Sequence, residues 1–249
     1  MGEGNPLVIL HGLFGSSDNW QSFALRMAEN NVEVYTVDLR NHGRSPHHSE
    51  HNYKSMAEDV AKLIRDEIKK PVALMGHSMG GKTAMRTALD FPDWIDKLIV
   101  LDIAPTPYPV LHADIIAALK SIDLNALTSR NEANNLLSEK IKQEDTRQFL
   151  LKGLYRKEDN QFAWRFNLGV LEKTIDNIGE AIDSETPFGN PALFIRGEKS
   201  DYVREEHFSG IRKLFPKSEI LTAPAAGHWI HADNAQWLEE RVRAFLGRS

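Results

Sequence analysis

Gly76-His77-Ser78-Met79-Gly80-Gly81-Lys82-Thr83 decides how the chain is read, because this one stretch satisfies two motifs. As Gly76-x-Ser78-x-Gly80 it is a nucleophile elbow, a tight strand-to-helix turn that lifts a serine hydroxyl clear of its surroundings. As Gly76-x4-Gly81-Lys82-Thr83 it is a phosphate-binding loop whose amides cradle a nucleotide. Both need a strand before and a helix after. Residues 72–75 are an apolar run introduced by Pro71, and residues 82–90 read as a helix halted before Pro92. The nucleotide reading even finds an acid, Asp102, closing an apolar strand as a magnesium-holding segment does. The flanks leave the choice open.

Distant residues decide it. His11-Gly12 closes the apolar run 7–10 and leads into Leu13-Phe14-Gly15. An α/β-hydrolase needs a backbone N–H from the loop after this strand to bind an oxyanion, and glycine lets that loop approach a substrate closely. Gly227-His228 follows the strand-like run 219–222. A phosphate-binding loop has no use for a histidine there, whereas a serine nucleophile needs a base. The order Ser78, then an acid, then His228 is that of α/β-hydrolase triads.

A length of 249 residues suits one α/β domain with a substantial core. Lys and Arg number 30 against 35 Asp and Glu, a net −5 that argues against nucleic acid or an anionic membrane as an obligate partner. There is no cysteine, which excludes disulfides, thiol catalysis and cysteine-ligated zinc. No run approaches the roughly 20 apolar residues that span a bilayer. Met1-Gly2-Glu3-Gly4-Asn5-Pro6 lacks the basic and apolar regions of a signal peptide, and Pro6 stands where myristoylation wants Ser or Thr. The expectation is a cytoplasmic protein.

Strands and helices alternate as βαβ units require. Strands are expected at 7–10, 33–37, 72–75, 98–101, 192–195 and 219–222, and their near-continuous apolar runs suit a parallel sheet covered on both faces. Helices are expected at 20–29, 56–69, 82–90, 205–214 and 236–246. Residues 105–186 break the rhythm. They hold no convincing strand but helix-like stretches at 113–121, 132–141, 146–154 and 164–182, between a Pro105/Pro107/Pro109 lead-in and a Pro187/Gly189/Pro191 exit. The organisation expected is an α/β-hydrolase core from 1–104 and 187–249, with a mostly parallel sheet flanked by helices, and a helical cap inserted at 105–186.

Five segments carry a closer likeness: Leu10-His-Gly-Leu-Phe-Gly-Ser-Ser-Asp-Asn-Trp20, Val37-Asp-Leu-Arg-Asn-His-Gly-Arg-Ser45, Gly76-His-Ser-Met-Gly-Gly-Lys82, Leu101-Asp-Ile-Ala-Pro105 and Ala226-Gly-His-Trp-Ile-His-Ala232. Over nearly its whole length the sequence resembles the YbfF-type bacterial esterases, whose mitochondrial relatives share these segments. The resemblance implies hydrolysis of carboxylic esters, of short to medium acyl chains or of acyl-CoA thioesters, without a cofactor. One departure is plain. Such hydrolases begin with a strand hairpin before the oxyanion-loop strand, and here only Met1–Asn5 precede it, so the hairpin is expected to be missing and the sheet edge to differ.

Site residues follow. Ser78 is the nucleophile, His228 the base, and the backbone amides of Leu13 and Met79 the oxyanion donors, Met79 at a helix N-terminus where the dipole favours negative charge. The acid is open between Asp102 and Asp201, with Glu198 a third choice; either aspartate can orient an imidazole. In the YbfF-type family the Asp102 position is the expected acid. Phe14 is a candidate pocket residue, and Trp229 resembles the family's substrate-binding tryptophan. His11, His42, His77 and His231 read as structural, as do Asp38, Arg40 and the turn Asn41-His-Gly-Arg-Ser45. His47, His48 and His51 crowd a polar loop, but with only Glu50 nearby they make a poor metal site, and no metal is expected. Lys82 becomes a helix residue rather than a phosphate ligand. Arg156, Lys157 and Arg165 read as a solvated basic face.

The reaction expected is acyl transfer to Ser78 and then to water, with a small-molecule ester or thioester as partner. Other classes remain: a hydrolase-fold lyase using the triad as a base, a ligand sensor with little turnover, and a magnesium-dependent nucleotide binder relying on Lys82. Haloalkane dehalogenation needs an aspartate where this chain has Ser78.

Overall fold

Side chains that alternate between two covered faces explain the centre of the molecule. A computed structural model describes residues 1–110 and 112–247. Its strands are β1 (Asn5–Leu10), β2 (Val32–Val37), β3 (Val72–His77), β4 (Ile95–Leu101), β5 (Leu154–Arg156), β6 (Phe162–Trp164), β7 (Ala192–Gly197) and β8 (Ser218–Ala223). Six of them form one sheet in the order β2-β1-β3-β4-β7-β8, with every neighbouring pair parallel. Val8, Leu10, Leu74, Leu98 and Val100 pack into the core on one face, while Leu7, Ile9, Met75, Ile99 and Leu101 pack into the core on the other. Alternate residues thus serve opposite faces, and both are dry.

Helices cover each face. In chain order they are α1 (Gln21–Ala28), α2 (Tyr53–Leu63), α3 (Met79–Asp90), α4 (Ala113–Lys120), α5 (Arg130–Lys140), α6 (Glu144–Lys152), α7 (Leu168–Thr174), α8 (Asp176–Gly179), α9 (Phe208–Leu214), α10 (Ile230–Asp233) and α11 (Ala235–Leu246). Phe23, Met27, Leu238 and Val242 place α1 and α11 on one side. Met56, Val60, Met85, Ile211 and Leu214 place α2, α3 and α9 on the other. β1 lies between β2 and β3, so the connections leave it in opposite directions and open a crevice at the carboxyl ends of β1 and β3. Register sets Leu10 beside Gly76 and His77 beside Leu101, which gathers the ends of β1, β3 and β4 at that crevice. No strand hairpin precedes β1 among the described residues, and β2 and β8 form the sheet edges.

Two expectations need correction. The helix after β3 begins at Met79, not at residue 82, because the chain turns from strand to helix at Ser78 alone. Residues 105–186, expected to hold helices alone, also contain strands. β5 and β6 pair antiparallel within it, so the helix expected across 164–182 gives way to β6 and the shorter α7 and α8. The hairpin turns where Asn160 takes a left-handed φ of 66°, with the Gln161 amide bonded to Asp159 Oδ1 at 3.0 Å. Leu154, Phe162 and Trp164 supply its buried side. Three-residue strands are too short to show a period, which is why the pattern escapes a reading by periodicity. No helix among the described residues is long and apolar enough to cross a membrane.

Candidate active site

Ser78 has φ 54° and ψ −119°, a conformation costly for any residue with a side chain. The surroundings hold it there: its amide bonds the Leu101 carbonyl at 3.1 Å and its carbonyl accepts the Lys82 amide at 3.0 Å. A methyl group on Gly76 would run into the Gly80 carbonyl, and one on Gly80 into the carbonyls of Leu10 and His11. Only glycines let α3 start so close to β1 and β3. Ser78 Oγ has no hydrogen-bond partner among the described residues.

Asp102 and His228 follow β4 and β8, two strands on either side of β7. Asp102 follows β4, is fully buried and has φ 49°, which turns its carboxylate toward β7 and β8. Oδ1 accepts the Gly197 amide at 2.9 Å, and Oδ2 accepts both the Ser200 hydroxyl and, at 2.7 Å, Nδ1–H of His228. With Nδ1–H committed to Asp102, His228 Nε2 has no hydrogen-bond partner among the described residues. Asp201 lies elsewhere, its side chain 90% exposed with Arg204 at 3.3 Å. Glu198 bonds the Ala225 amide. Of the three carboxylates weighed from the sequence, the structure brings Asp102 alone to His228.

Behind the loop that follows β1 two buried histidines act as spacers. His11 accepts the Leu39 amide on Nε2 at 3.1 Å, so its proton sits on Nδ1, facing the Gly12 carbonyl at 2.8 Å. His42 accepts the Phe14 amide on Nε2 at 3.2 Å and turns Nδ1 to the Arg40 carbonyl. Burial holds both below the ordinary histidine range, so they stay neutral and can accept. Asp38 ties the same loop to the turn, taking the Ser17 amide at 2.6 Å and the Arg44 amide at 2.9 Å. Burial alone would raise its carboxyl, but these amides hold it below the usual carboxylate value. The Leu13 amide is left without an acceptor among the described residues, and the Met79 amide opens α3, where helices leave donors free.

A family model described as the α/β-hydrolase fold matches residues 5–235. The chain belongs to the α/β-hydrolase fold family. Among its relatives is the sn-1-specific diacylglycerol lipase ABHD11 of Mus musculus, 41% identical over 248 residues, 96% of this chain and 80% of the relative. Esterase YbfF of Escherichia coli strain K12 is 35% identical across 97% of this chain and 93% of its own. Among solved structures, a marine microorganism esterase superposes with a TM-score of 0.95 at 44% identity, covering 98% of this chain and 96% of that one.

In this α/β-hydrolase the crevice divides into two lobes, both touching Leu13, Ser78, His112 and Tyr202. One lobe, of about 220 Å³, is bounded by Phe14, Phe149, Leu150, His228 and Trp229. The other, of about 30 Å³, is bounded by Tyr53, Met79, Ile103, Tyr108 and Ile178. Ser78, His228, Leu13, Met79, Phe14 and Trp229 therefore meet at one place, with Asp102 sealed behind His228, while Asp201 and Glu198 line neither lobe. Sequence reading missed Tyr53, Tyr108, His112, Ile178, Ser200 and Tyr202. Only Ser200 and Tyr202 had a signal, because they flank Asp201 in the loop after β7.

Lys82 lines neither lobe and is 1% exposed, buried behind the Tyr53 and Tyr108 rings. Its ammonium donates to the Glu180 carbonyl and lies 4.9 Å from the Tyr108 ring centroid and 5.6 Å from that of Tyr53. Burial lowers it to about 8. It ties α3 to the end of the inserted segment and is not presented to a phosphate. His77 donates Nε2–H to the His228 carbonyl at 2.8 Å, and His231 lies against Trp20 with ring centroids 4.4 Å apart. His51 is buried while His47 and His48 are exposed, and the described residues contain no cluster of metal-ligand type. Arg156 and Arg165 lie over Phe162 and Tyr155 of the β5–β6 hairpin.

Proposed function

We propose that this protein is a serine hydrolase of carboxylic esters, extending to thioesters, that works through an acyl-enzyme on Ser78. The observation that carries the reading is the 2.7 Å contact between His228 Nδ1 and buried Asp102, with Ser78 and His228 bordering one lobe. The substrate carbonyl oxygen docks between the Leu13 and Met79 amides. Ser78 Oγ attacks the carbonyl carbon as His228 Nε2 takes its proton, and Asp102 stabilises the imidazolium that results. The tetrahedral adduct collapses, His228 protonates the departing alcohol or thiol, and the acyl group stays on Ser78. Water then attacks with His228 as base and releases the acid.

The lobes assign the two halves of the substrate. Because the leaving group must receive its proton from His228, it occupies the wider lobe that His228 borders, beside Phe149 and Trp229. The acyl chain enters the narrow lobe toward Ile178, beneath residues 105–186 acting as a cap. The names of the relatives, an esterase and a diacylglycerol lipase, agree with ester cleavage.

Intact mass after exposure to a fluorophosphonate tests the reading. One adduct on the wild type and none on Ser78→Ala is the expected result. A folded wild type that takes no adduct would overturn it.

A further inference from the structure

His228 is held by more than Asp102. The Tyr202 ring is stacked on its imidazole, with 4.1 Å between centroids and 22° between planes. Tyr202 is itself anchored on both sides of its backbone. Its amide donates to Ser200 Oγ at 3.3 Å, and that hydroxyl donates to the same Asp102 Oδ2 that receives Nδ1–H of His228. Its carbonyl accepts the Tyr108 hydroxyl, which accepts the Ala104 amide at 3.0 Å, two residues beyond Asp102. The Tyr108 ring is in turn covered by the buried ammonium of Lys82 at 4.9 Å. Tyr202 Oη has no hydrogen-bond partner among the described residues, so this residue meets the machinery through its ring face.

We propose that Tyr202 is a positioning residue for His228: its ring face holds the imidazole in the plane set by Asp102 and stabilises the imidazolium formed during turnover. This rests on the reading of His228 as the base. A single hydrogen bond at Nδ1 leaves the imidazole free to tilt, and a parallel aromatic face removes that freedom. The same face carries the negative end of the ring quadrupole, which attracts a cation within about 6 Å of the centroid. The attraction grows with the positive charge that the imidazole acquires in taking the serine proton, so it lowers the barrier rather than tightening substrate binding.

The other titratable groups around the imidazole are Asp102 after β4, His77 at the end of β3, His112 before α4 and His231 on α10. Burial pushes all three of these histidines below the ordinary value, so they remain neutral at neutral pH. Replacing the ring at 202 therefore leaves the surrounding charges unchanged.

The test compares Tyr202→Phe, Tyr202→Leu and Tyr202→Met by ester hydrolysis across pH and by NMR titration of the His228 imidazole. Tyr202→Phe is expected to match the wild type within about twofold, since the face is kept. Tyr202→Leu and Tyr202→Met fill the space without a π face. They are expected to lose roughly 3- to 30-fold in kcat with KM little changed, and their His228 titration to move to lower pH by roughly half to one and a half units. Melting temperatures show which apolar variant is folded, and either one suffices. Apolar variants equal to the wild type in kcat and titration would overturn the proposal, as would a Phe variant as impaired as Leu. The NMR titration needs no turnover. A wild type inert toward esters would thus sink the hydrolase reading, while the titration still judges Tyr202.

Discussion

Asp102 Oδ2 and His228 Nδ1 meet at 2.7 Å across 126 positions of sequence. The contact separates two carboxylates that look equivalent on paper. Asp102 is fully buried, whereas the Asp201 side chain is 90% exposed and pairs with Arg204. A lone surface pair of that kind contributes little, about 0–1 kcal/mol.

Asp102→Asn should therefore lower kcat by up to about 10⁴-fold, the scale seen when a triad imidazole is left in the wrong tautomer. Asp201→Asn should stay within about twofold of the wild type. Steady-state kinetics on one p-nitrophenyl ester decides between them, and a large loss on the second variant instead would reassign the acid.

The narrow lobe predicts selectivity for short acyl chains. Acetate and butyrate esters of p-nitrophenol should exceed the octanoate in kcat/KM by more than about tenfold, since a buried methylene is worth about 0.8 kcal/mol only where it fits. Ile178→Ala removes a wall of that lobe while keeping the Ile178 carbonyl that accepts the Tyr53 hydroxyl at 2.8 Å. This variant should raise the octanoate-to-butyrate ratio by about tenfold. A profile flat with chain length would mean the acyl group lies elsewhere.

Acid should unfold the protein through its histidines. Burial is the largest cause lowering His51 and His231 to about 4, against an unfolded value near 6.5. Between these values the unfolded chain binds more protons than the folded one, so stability is present above pH 6.5 and is lost as pH falls toward 4. Each residue contributes up to about 3 kcal/mol to that loss. Urea unfolding at pH 7 and pH 5 measures it, and His51→Phe should flatten the slope. Equal stability of wild type and variant at both pH values would refute the assignment.

Much of the site was legible because its signals are local. The glycines around Ser78 report a strand-to-helix turn, since close backbone approach excludes a Cβ whatever the rest of the chain does. His11-Gly12 and Gly227-His228 each follow a strand-like run and mark the loop after a strand, and the unbroken apolar runs 7–10 and 98–101 require a sheet covered on both faces. Lys82 shows the limit of such signals. One octapeptide fits two chemistries, and the contacts of one buried side chain, with the Glu180 carbonyl and the Tyr108 ring, belong to neither motif.

What the linear chain determined about this protein was its sheet, the turn that carries Ser78, the histidine after the last strand and the two strand ends that carry candidate acids. Which carboxylate faces His228 was decided by tertiary structure, through the φ of 49° at Asp102 and the Gly197 amide and Ser200 hydroxyl that receive it. The β5–β6 hairpin, the two lobes and the stacking of Tyr202 on His228 were decided there too. Each depends on packing between segments far apart in sequence, and such packing leaves no period or motif in any one of them.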